Sequence, residues 1–476
     1  MLKRIVLILA VCFFLGAQVW AQDFGFGFDE EDSGGASGAG SKPRLSLSVG
    51  GEVSAAIVGY FYDMSKGAKH IDTREMFMLQ GKLNFHAQSP FAEGVINLKF
   101  VPALIPVSID EAYIRAYFGN FDLSAGLKKV VWGKADQFGP LDVINMIDAS
   151  KVFLEMADNT SLLGVKLANP VVHAAFRFGK FSKIEGIVLP SFEIINAAIS
   201  AALTPPNPAN PMALLIGSTA ERWIPTQMSA LKDAFDGALN MPGDGSMLSY
   251  AQAGLRFTST IGSADVGAQY FFGRMLQPAV RFSPNKLDPS QTDLNVMFNK
   301  YHQIGIDYAQ VLAGFNVRAE VAANITEDVK GDDGYTYNPS IGWSVGFDRD
   351  LFLGINLNLQ VNESIRLLDS KVGSDDPASP KFDIESGLPI TATRLTAMLS
   401  RKFLRDELEL RTAVVWGIED KDAAVIPALI WTKDDLRVAL SGSFFMGDTE
   451  GQLGQYNDKK NEKVNNFLKI SVLYVF

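Results

Sequence analysis

Charged and polar side chains recur at every second position along many segments of this chain, opposite an apolar set. In Phe315–Asn324 the polar positions include Asn316, Arg318 and Glu320. Acids and bases mixed on one face can stay hydrated, which suits an aqueous path rather than a reaction. The candidates for lining such a path are Glu52, Lys82, Lys99, Glu111, Arg115, Lys128, Arg318, Glu320, Arg394 and Arg411.

Two interpretations of these charges are open. Arg115, Lys128 and Lys99 fall on neighbouring predicted strands and would form a basic stripe facing Glu111 and Glu52. Such an arrangement would set up an electric field across a channel and orient charged solutes. Alternatively, the charges neutralise one another along the wall. The sequence favours neither interpretation.

Residues suited to catalysis or metal binding lack the necessary spacing. The four histidines are isolated from one another: His70, His86, His173 and His302. The distances between the histidines in the sequence do not match those of a metal site. The sequence also contains neither a Gly-x-Ser-x-Gly motif nor a glycine-rich phosphate-binding loop with a lysine. The acidic pairs at 332–333 and 375–376 lack the ligand order of a calcium loop and are predicted to be solvated loop tips. We therefore expect no enzyme activity, no cofactor and no metal site.

The elements that position the charged residues are predicted to be β-strands. Over Ile355–Asn362 every odd position is aliphatic and every even position carries an amide side chain. A helix, with a period of 3.6 residues, would mix the two sets. Comparable runs along the chain predict about eighteen strands, with a range of about 14 to 18. Two of them are predicted over 121–132 and 165–178.

Connection lengths predict how the strands are arranged. Tight turns, such as Gly119-Asn120 and Gly179-Lys180, alternate with longer segments, such as 133–164 and 191–247. Short turns on one side and long loops on the other are typical of outer-membrane barrels, whose termini lie on the short-turn, periplasmic side. The predicted fold is all-β: a transmembrane antiparallel up-and-down β-barrel with a helical insertion in a long extracellular loop.

The amino-terminal region predicts export. Lys3 and Arg4 precede an apolar stretch that ends at a small-residue site, so we expect a signal peptide over 1–21. A lipoprotein signal using Cys12, the single cysteine, is the less favoured alternative. Residues 22–43 read as a flexible periplasmic leader and 44–476 as the barrel. The formal net charge of −10 argues against nucleic acid as a partner.

The long connection 191–247 carries helical signals. Ile224, Met228, Leu231, Phe235 and Leu239 recur at helical spacing. Pro225 lies near the start of this run and Pro242-Gly243 after its end, as expected for helix boundaries. We expect a partly helical loop that acts as a lid over or in the barrel mouth, or else a surface helix packed on neighbouring loops.

A second long connection begins with a distinctive motif. It runs Val131-Trp132-Gly133-Lys134-Ala135-Asp136-Gln137-Phe138-Gly139-Pro140-Leu141-Asp142-Val143-Ile144-Asn145. The glycines and the proline exclude a continuing strand, and Trp132 is predicted to be an aromatic residue at the membrane interface. The remaining residues are apolar enough for the loop to fold inward. The motif residues are Trp132, Gly133, Asp136, Pro140, Asp142 and Asn145.

This motif resembles a largely uncharacterised family of porin-like bacterial outer-membrane proteins. In that family a strand ends in Trp-Gly and is followed by an acid and a Pro-x-Asp-Val-x-Asn turn. The resemblance covers about 105–165. It implies a barrel fold, an outer-membrane location and a transport role.

The carboxyl-terminal segment alternates strictly and ends on an aromatic residue. Tyr474 and Phe476 belong to the apolar set of this strand. The pattern resembles the insertion signal of outer-membrane barrels, so we expect these two residues to be read by the barrel-assembly machinery.

The predicted function is a porin-like channel in the outer membrane of a diderm bacterium, for diffusion or uptake of small solutes. Its expected partners are outer-membrane lipid, periplasmic chaperones, the assembly machinery and the solute. One alternative is an uptake channel for hydrophobic, fatty-acid-type molecules, and another is a surface adhesin built on a barrel. The sequence gives neither the substrate nor the oligomeric state.

Overall fold

The structure is a computed structural model, and it describes twelve ranges of the chain. They are 45–61, 71–72, 77–101, 105–148, 151–159, 162–190, 251–275, 279–284, 292–374, 379–449, 451–458 and 463–476. The predicted signal peptide, the leader 22–43 and the loop 191–247 lie outside the described residues, as do His70 and the acidic pair 375–376.

Eighteen strands form one antiparallel barrel. They are β1 (Ser46–Phe61), β2 (Met78–Gln88), β3 (Ala92–Val101), β4 (Ile105–Phe118), β5 (Phe121–Lys128), β6 (Asn169–Phe178), β7 (Ser182–Leu189), β8 (Gln252–Ile261), β9 (Ala264–Arg274), β10 (Lys300–Leu312), β11 (Phe315–Thr326), β12 (Ser340–Asp350), β13 (Ile355–Arg366), β14 (Thr391–Phe403), β15 (Leu408–Gly417), β16 (Asp422–Lys433), β17 (Leu436–Gly447) and β18 (Asn466–Val475).

Each barrel strand pairs with its neighbours in the sequence, and the sheet closes on itself. The closing seam joins β1 to β18, from Glu52 opposite Val475 to Phe61 opposite Asn466. At the end of this seam the Phe476 amide donates to the Gly51 carbonyl at 3.0 Å, and the Gly51 amide donates back at 2.9 Å. The predicted up-and-down barrel is therefore confirmed, at the upper end of the predicted strand range.

Smaller elements occur in the connections between the barrel strands. Two short hairpins and a two-residue strand occur in the connections: Ala279–Pro284 with Thr292–Met297, Asn457–Asp458 with Lys463–Val464, and Ile71–Asp72 beside β1. The α-helix in the described part of the chain is α1, Val152–Asp158. The 3₁₀ turns are Leu162–Val165, Phe352–Gly354, Asp369–Lys371 and Gly454–Tyr456.

The strands have an apolar outer face and a polar inner face. On β10, Ile304 and Ile306 are 55% and 57% exposed, whereas Gln303 and Asp307 are 1% and 4% exposed. A protein folded in water places its side chains in the opposite way. The alternation predicted from the sequence is present, with the apolar set on the outside.

Connection lengths differ between the two rims as predicted. Connections on one rim, such as 119–120, 179–181 and 351–354, do not exceed four residues. The long connections lie on the other rim and include 129–168 and 367–390.

Several predicted strand boundaries were wrong. The strand predicted over 121–132 ends at Lys128, and the one predicted over 165–178 begins at Asn169. After Lys128 the backbone leaves the sheet, because the Lys129 amide donates to the Glu111 side chain at 2.9 Å. A bulge near Asn97 shifts the register between β3 and β4 and places Asp110 on the inner face, beside Lys99.

Candidate functional site

The connection between β5 and β6, described over 129–148, 151–159 and 162–168, folds into the barrel, and we call it the inner loop. Asn145 fixes its base, because its side chain accepts from the Val130 amide at 2.8 Å and donates to the Leu167 carbonyl at 2.8 Å. Its side chain is buried. Asn145 thus joins the departing and the returning chain, and its place in the sequence motif has a structural reason.

Glu320 of β11 anchors the first half of the inner loop. Its carboxylate accepts from the backbone amides of Lys134, of Ala135 at 2.7 Å and of Leu141 at 3.4 Å. Gly133 adopts a φ of +100°, and a side chain there would collide with this carboxylate. Glu320 was predicted to line an open path, but the structure buries it beneath the loop.

A row of amide side chains on the inner wall extends this attachment. Gln360 accepts from the backbone amides of Asp136 and Gln137 at 3.0 and 3.2 Å. Gln303 donates to the Pro140 carbonyl at 2.9 Å, and Gln269 donates to the Leu141 carbonyl at 3.0 Å. None of these glutamines was among the predicted site residues, although alternation places Gln360 on the polar face.

Arg318 connects the loop motif to the wall. It pairs with Asp136 at 2.5 Å and with Asp348 at 2.7 Å. Asn358 donates to the same Asp136 carboxylate at 2.8 Å. The acid of the predicted motif and a predicted lining residue are thus partners.

Asp142 and Lys166 form a buried ion pair across the two arms of the inner loop. Their side chains are 8% and 7% exposed. Burial raises the pKa of the Asp142 carboxyl, while Lys166 acts in the opposite direction. Desolvation therefore outweighs attraction at this carboxyl.

Trp132 does not lie at the membrane interface, so that prediction was wrong. Only 2% of this residue is exposed. Because the chain has already turned inward at Lys129, the indole enters the barrel instead of ending a strand. It packs in an apolar cluster with Val130, Ile144, Val171, Ile187, Leu189, Phe271 and Tyr301.

The second half of the inner loop carries α1, a helix that was not predicted from the sequence. Val152 and Met156 of α1 pack on the inner wall of β15–β17. Phe153 meets Phe445 edge to face, with ring centroids 4.8 Å apart. The apolar wall residues of this contact are Ala413, Val415, Ala424, Ile426 and Phe445.

Three cations surround the carboxyl-terminal end of α1. Arg411 donates to the Ala157 carbonyl at 3.1 Å, and Arg437 donates to the Asp158 carbonyl. Lys469 pairs with the Asp158 carboxylate at 2.7 Å. Cations are favourable at this end of a helix, where the last carbonyls lack partners.

The other predicted lining residues lie on the inner face and mostly pair with close neighbours. Lys82 pairs with Glu52, Lys99 with Asp110 at 2.6 Å, Arg115 with Glu93 at 3.0 Å, and Arg394 with Asp420 at 3.4 Å, while Glu111 accepts from Asn97 at 3.1 Å. These contacts match the interpretation in which charges neutralise one another locally.

Lys128 is the exception among the predicted lining cations, since no described carboxylate lies within ion-pair distance of its ammonium group. It contacts Ser124 Oγ at 3.1 Å and His173 Nδ1 at 3.2 Å, and it lies over the Tyr113 ring. Glu185 contacts the other side of His173 at 3.3 Å. Lys128 is thus a buried positive charge on the wall.

A cavity of about 570 Å³ remains between α1 and the inner wall of β1, β2 and β15–β18. Its polar lining includes Glu52, Lys82, Glu155, Arg411, Arg437 and Lys469. Within the described ranges, no cluster of histidine and acidic side chains has the arrangement of a metal site. No helix in those ranges is long and apolar enough to cross a membrane.

No family model and no curated protein sequence matches this chain. Among solved structures, the chain is similar to the outer membrane channel DcaP of Acinetobacter baumannii, with 10% identity, 93% of this chain and 100% of that chain covered, and a TM-score of 0.40. For OccK3 of Pseudomonas aeruginosa the identity is 8%, the coverage 90% and 95%, and the TM-score 0.45. For a triple mutant of the Rhodopseudomonas blastica porin the identity is 10%, 90% of this chain and 100% of that chain are covered, and the TM-score is 0.37.

Proposed function

We propose that this protein is a channel in a bacterial outer membrane through which small polar solutes pass. One observation carries the proposal: the barrel exposes aliphatic side chains outward and buries charged ones inward on the same strands. On β8, for example, Leu255 is 55% exposed and the adjacent Arg256 is 4% exposed. Lipid is the solvent that satisfies such an outer face.

The location follows from the same pattern. A closed barrel leaves no backbone edge unpaired in the hydrocarbon layer, so it can cross a membrane. The predicted signal peptide would export the chain. The short-turn rim, which carries both ends of the barrel, would face the periplasm.

The inner loop would set the width of the channel. Eighteen strands enclose more space than wall side chains can fill. The inner loop occupies part of that space and is held at both ends of its course, by Glu320 and by α1. We assign the passage to the remaining polar space, beside Lys82, Glu155 and Arg437.

The interior argues against an uptake channel for hydrophobic molecules. Its apolar side chains are used in packing, since Trp132, Leu141 and Ile426 are each no more than 2% exposed. Nine of the twenty residues that line the remaining cavity are charged. A fatty-acid-type ligand would have to place its apolar chain beside these charged groups, which is unfavourable.

Planar-bilayer recording of the refolded mature protein tests the proposal. Stepwise ion conductance is expected, and the protein should need detergent to stay folded and dispersed. A variant lacking 191–247 controls for closure by that loop. Absence of steps in both proteins would refute the channel, and a folded monomer in detergent-free buffer would refute the membrane location. Long loops that bind host or matrix protein, without conductance, would support the adhesin instead.

A further inference from the structure

The cavity beside α1 contains two opposite charges that have no ionic partner in the described part of the chain. They are Glu155, which lies within ion-pair distance of no described cation, and Arg437, which lies within that distance of no described carboxylate. Both line the cavity. Glu52 and Lys82, which line it as well, already neutralise each other.

Asn159 holds these two charges apart. Its side-chain oxygen accepts from Arg437 Nη1 at 2.9 Å, and its side-chain nitrogen donates to Glu155 Oε2 at 2.7 Å. Both charged groups are thereby fixed on one residue, yet they do not meet. A polar bridge of this kind positions a cation and an anion near each other and facing the same space.

Arg437 retains unused donors. A guanidinium group carries five N–H donors, and the described acceptors, the Asn159 side-chain oxygen and the Asp158 carbonyl, take two of them. Arg411 and Lys469 add positive charge on the same side, against Asp158, which Lys469 and Ser441 already engage at 2.7 Å. Hydrogen bonds from a guanidinium group to an anionic oxygen are strong because both groups are charged, so this side of the cavity favours an incoming anionic oxygen.

We propose that the cavity is a binding subsite for small zwitterionic solutes of the amino-acid type. The solute carboxylate binds at Arg437, and its ammonium group binds at Glu155. A cavity of about 570 Å³ holds such a solute with its hydration water. This inference rests on the proposed channel function and names the class of solute that binds inside the channel.

Isothermal titration of the full-length protein in detergent tests the subsite, with L-alanine, acetate and ethylammonium as probes. L-alanine should bind at least about tenfold more tightly than either singly charged probe, because only it engages both groups. Glu155→Gln and Arg437→Gln should each weaken L-alanine binding by about tenfold, which corresponds to about 1.4 kcal/mol. Arg405→Gln, at an exposed arginine in the turn after β14 and outside the cavity lining, is the matched control and should bind normally.

Arg437→Gln could also release α1, so Arg437→Lys is measured beside it. The lysine variant keeps the charge and should retain most of the binding. Equal binding of all three probes, or variants that bind L-alanine like the parent, would overturn the subsite. Bilayer conductance of the same preparations separates the two proposals: conductance without L-alanine binding refutes only the subsite, and binding without conductance refutes only the channel.

Discussion

The two halves of the inner loop are attached to the wall by different physical means. The first half, 129–148, is held by wall side chains that bond to the loop backbone, with Glu320 and Gln360 at the centre. The second half is held mainly by the side chains of α1, which pack on Ile426 and Phe445, with polar contacts at the end of the helix. We call these the polar attachment and the apolar attachment.

The difference shows which residues determine the position of each half of the inner loop. In the polar attachment the loop contributes its backbone, so its residues need only allow close approach, as Gly133 and Gly139 do. Directional bonds then fix the depth of the loop. In the apolar attachment the loop contributes shape and area, which are not directional. The first half should therefore fail through loss of a single wall residue, and the second half more gradually.

Replacement of Glu320 should have the largest effect. Glu320→Ala removes the acceptor of three backbone amides, and hydrogen bonds to a charged group are worth about 1.5–3 kcal/mol each, so the loss is about 5 kcal/mol. The first half should detach from the wall. Hydrogen exchange of the Lys134, Ala135 and Leu141 amides should accelerate strongly, and single-channel conductance should rise.

Glu320→Gln is the matched control for this change. It keeps an acceptor of the same size without the charge, so its effect should be clearly smaller. Unchanged exchange in Glu320→Ala would show that the first half of the loop does not depend on this carboxylate.

Lys166→Met should have the second-largest effect on stability. It leaves the buried Asp142 carboxylate without its partner, a loss of about 3–5 kcal/mol at neutral pH. The pKa of Asp142 is already raised by burial. The folded protein therefore holds this proton to a higher pH than the unfolded chain does. The variant therefore loses the most stability at pH values above the raised pKa of Asp142. The loss becomes smaller as the pH falls toward the ordinary pKa of an aspartate.

Denaturation of Lys166→Met at several pH values checks this. Stability relative to the parent should improve as the pH is lowered from neutral. Adding Asp142→Asn removes the charge and should restore stability at neutral pH. A double variant as unstable as Lys166→Met alone would contradict a penalty that arises from the unpaired Asp142 charge.

The barrel was predictable from the sequence because alternation is a local property. Within each strand, the alternation of polar and apolar residues shows which side chains face inward. The pattern alone therefore places Lys99, Arg115 and Arg318 on the inner face. The carboxyl-terminal strand of Tyr474 and Phe476 is recognisable in the same way. Its assembly role stays a prediction, as do the signal peptide and the lid in 191–247.

What the sequence could not supply was the pairing across the barrel. Glu320 and Lys134 are far apart in the chain, and nothing local in either residue indicates that they meet. The α1 helix was missed because a seven-residue helix shows too little of a period, and its stability comes from the wall it packs on. Trp132 was misplaced because the strand was predicted to end four residues too late.

The apolar attachment should respond to truncation of Phe445. Phe445→Ala leaves a cavity opposite Phe153 and should cost about 3 kcal/mol. Because neighbours such as Ile426 still hold α1, the helix should loosen rather than leave. Amide exchange over 152–158 is the measurement. Phe352→Ala, at a position that is 79% exposed, is the matched control and should leave that exchange unchanged.

Arg318 should give the smallest stability effect and the clearest effect on charge. Its side chain is 25% exposed, so its pairs with Asp136 and Asp348 are partly screened. Each such pair is worth up to about 1 kcal/mol, so Arg318→Gln should cost at most about 2 kcal/mol. The two carboxylates would then lose their cation, and the passage should favour cations more strongly. Reversal potentials in a salt gradient measure this preference, and Arg318→Lys should keep most of the parent value. A large loss of stability in Arg318→Gln would mean that the polar attachment rests on this ion pair as much as on the backbone bonds to Glu320.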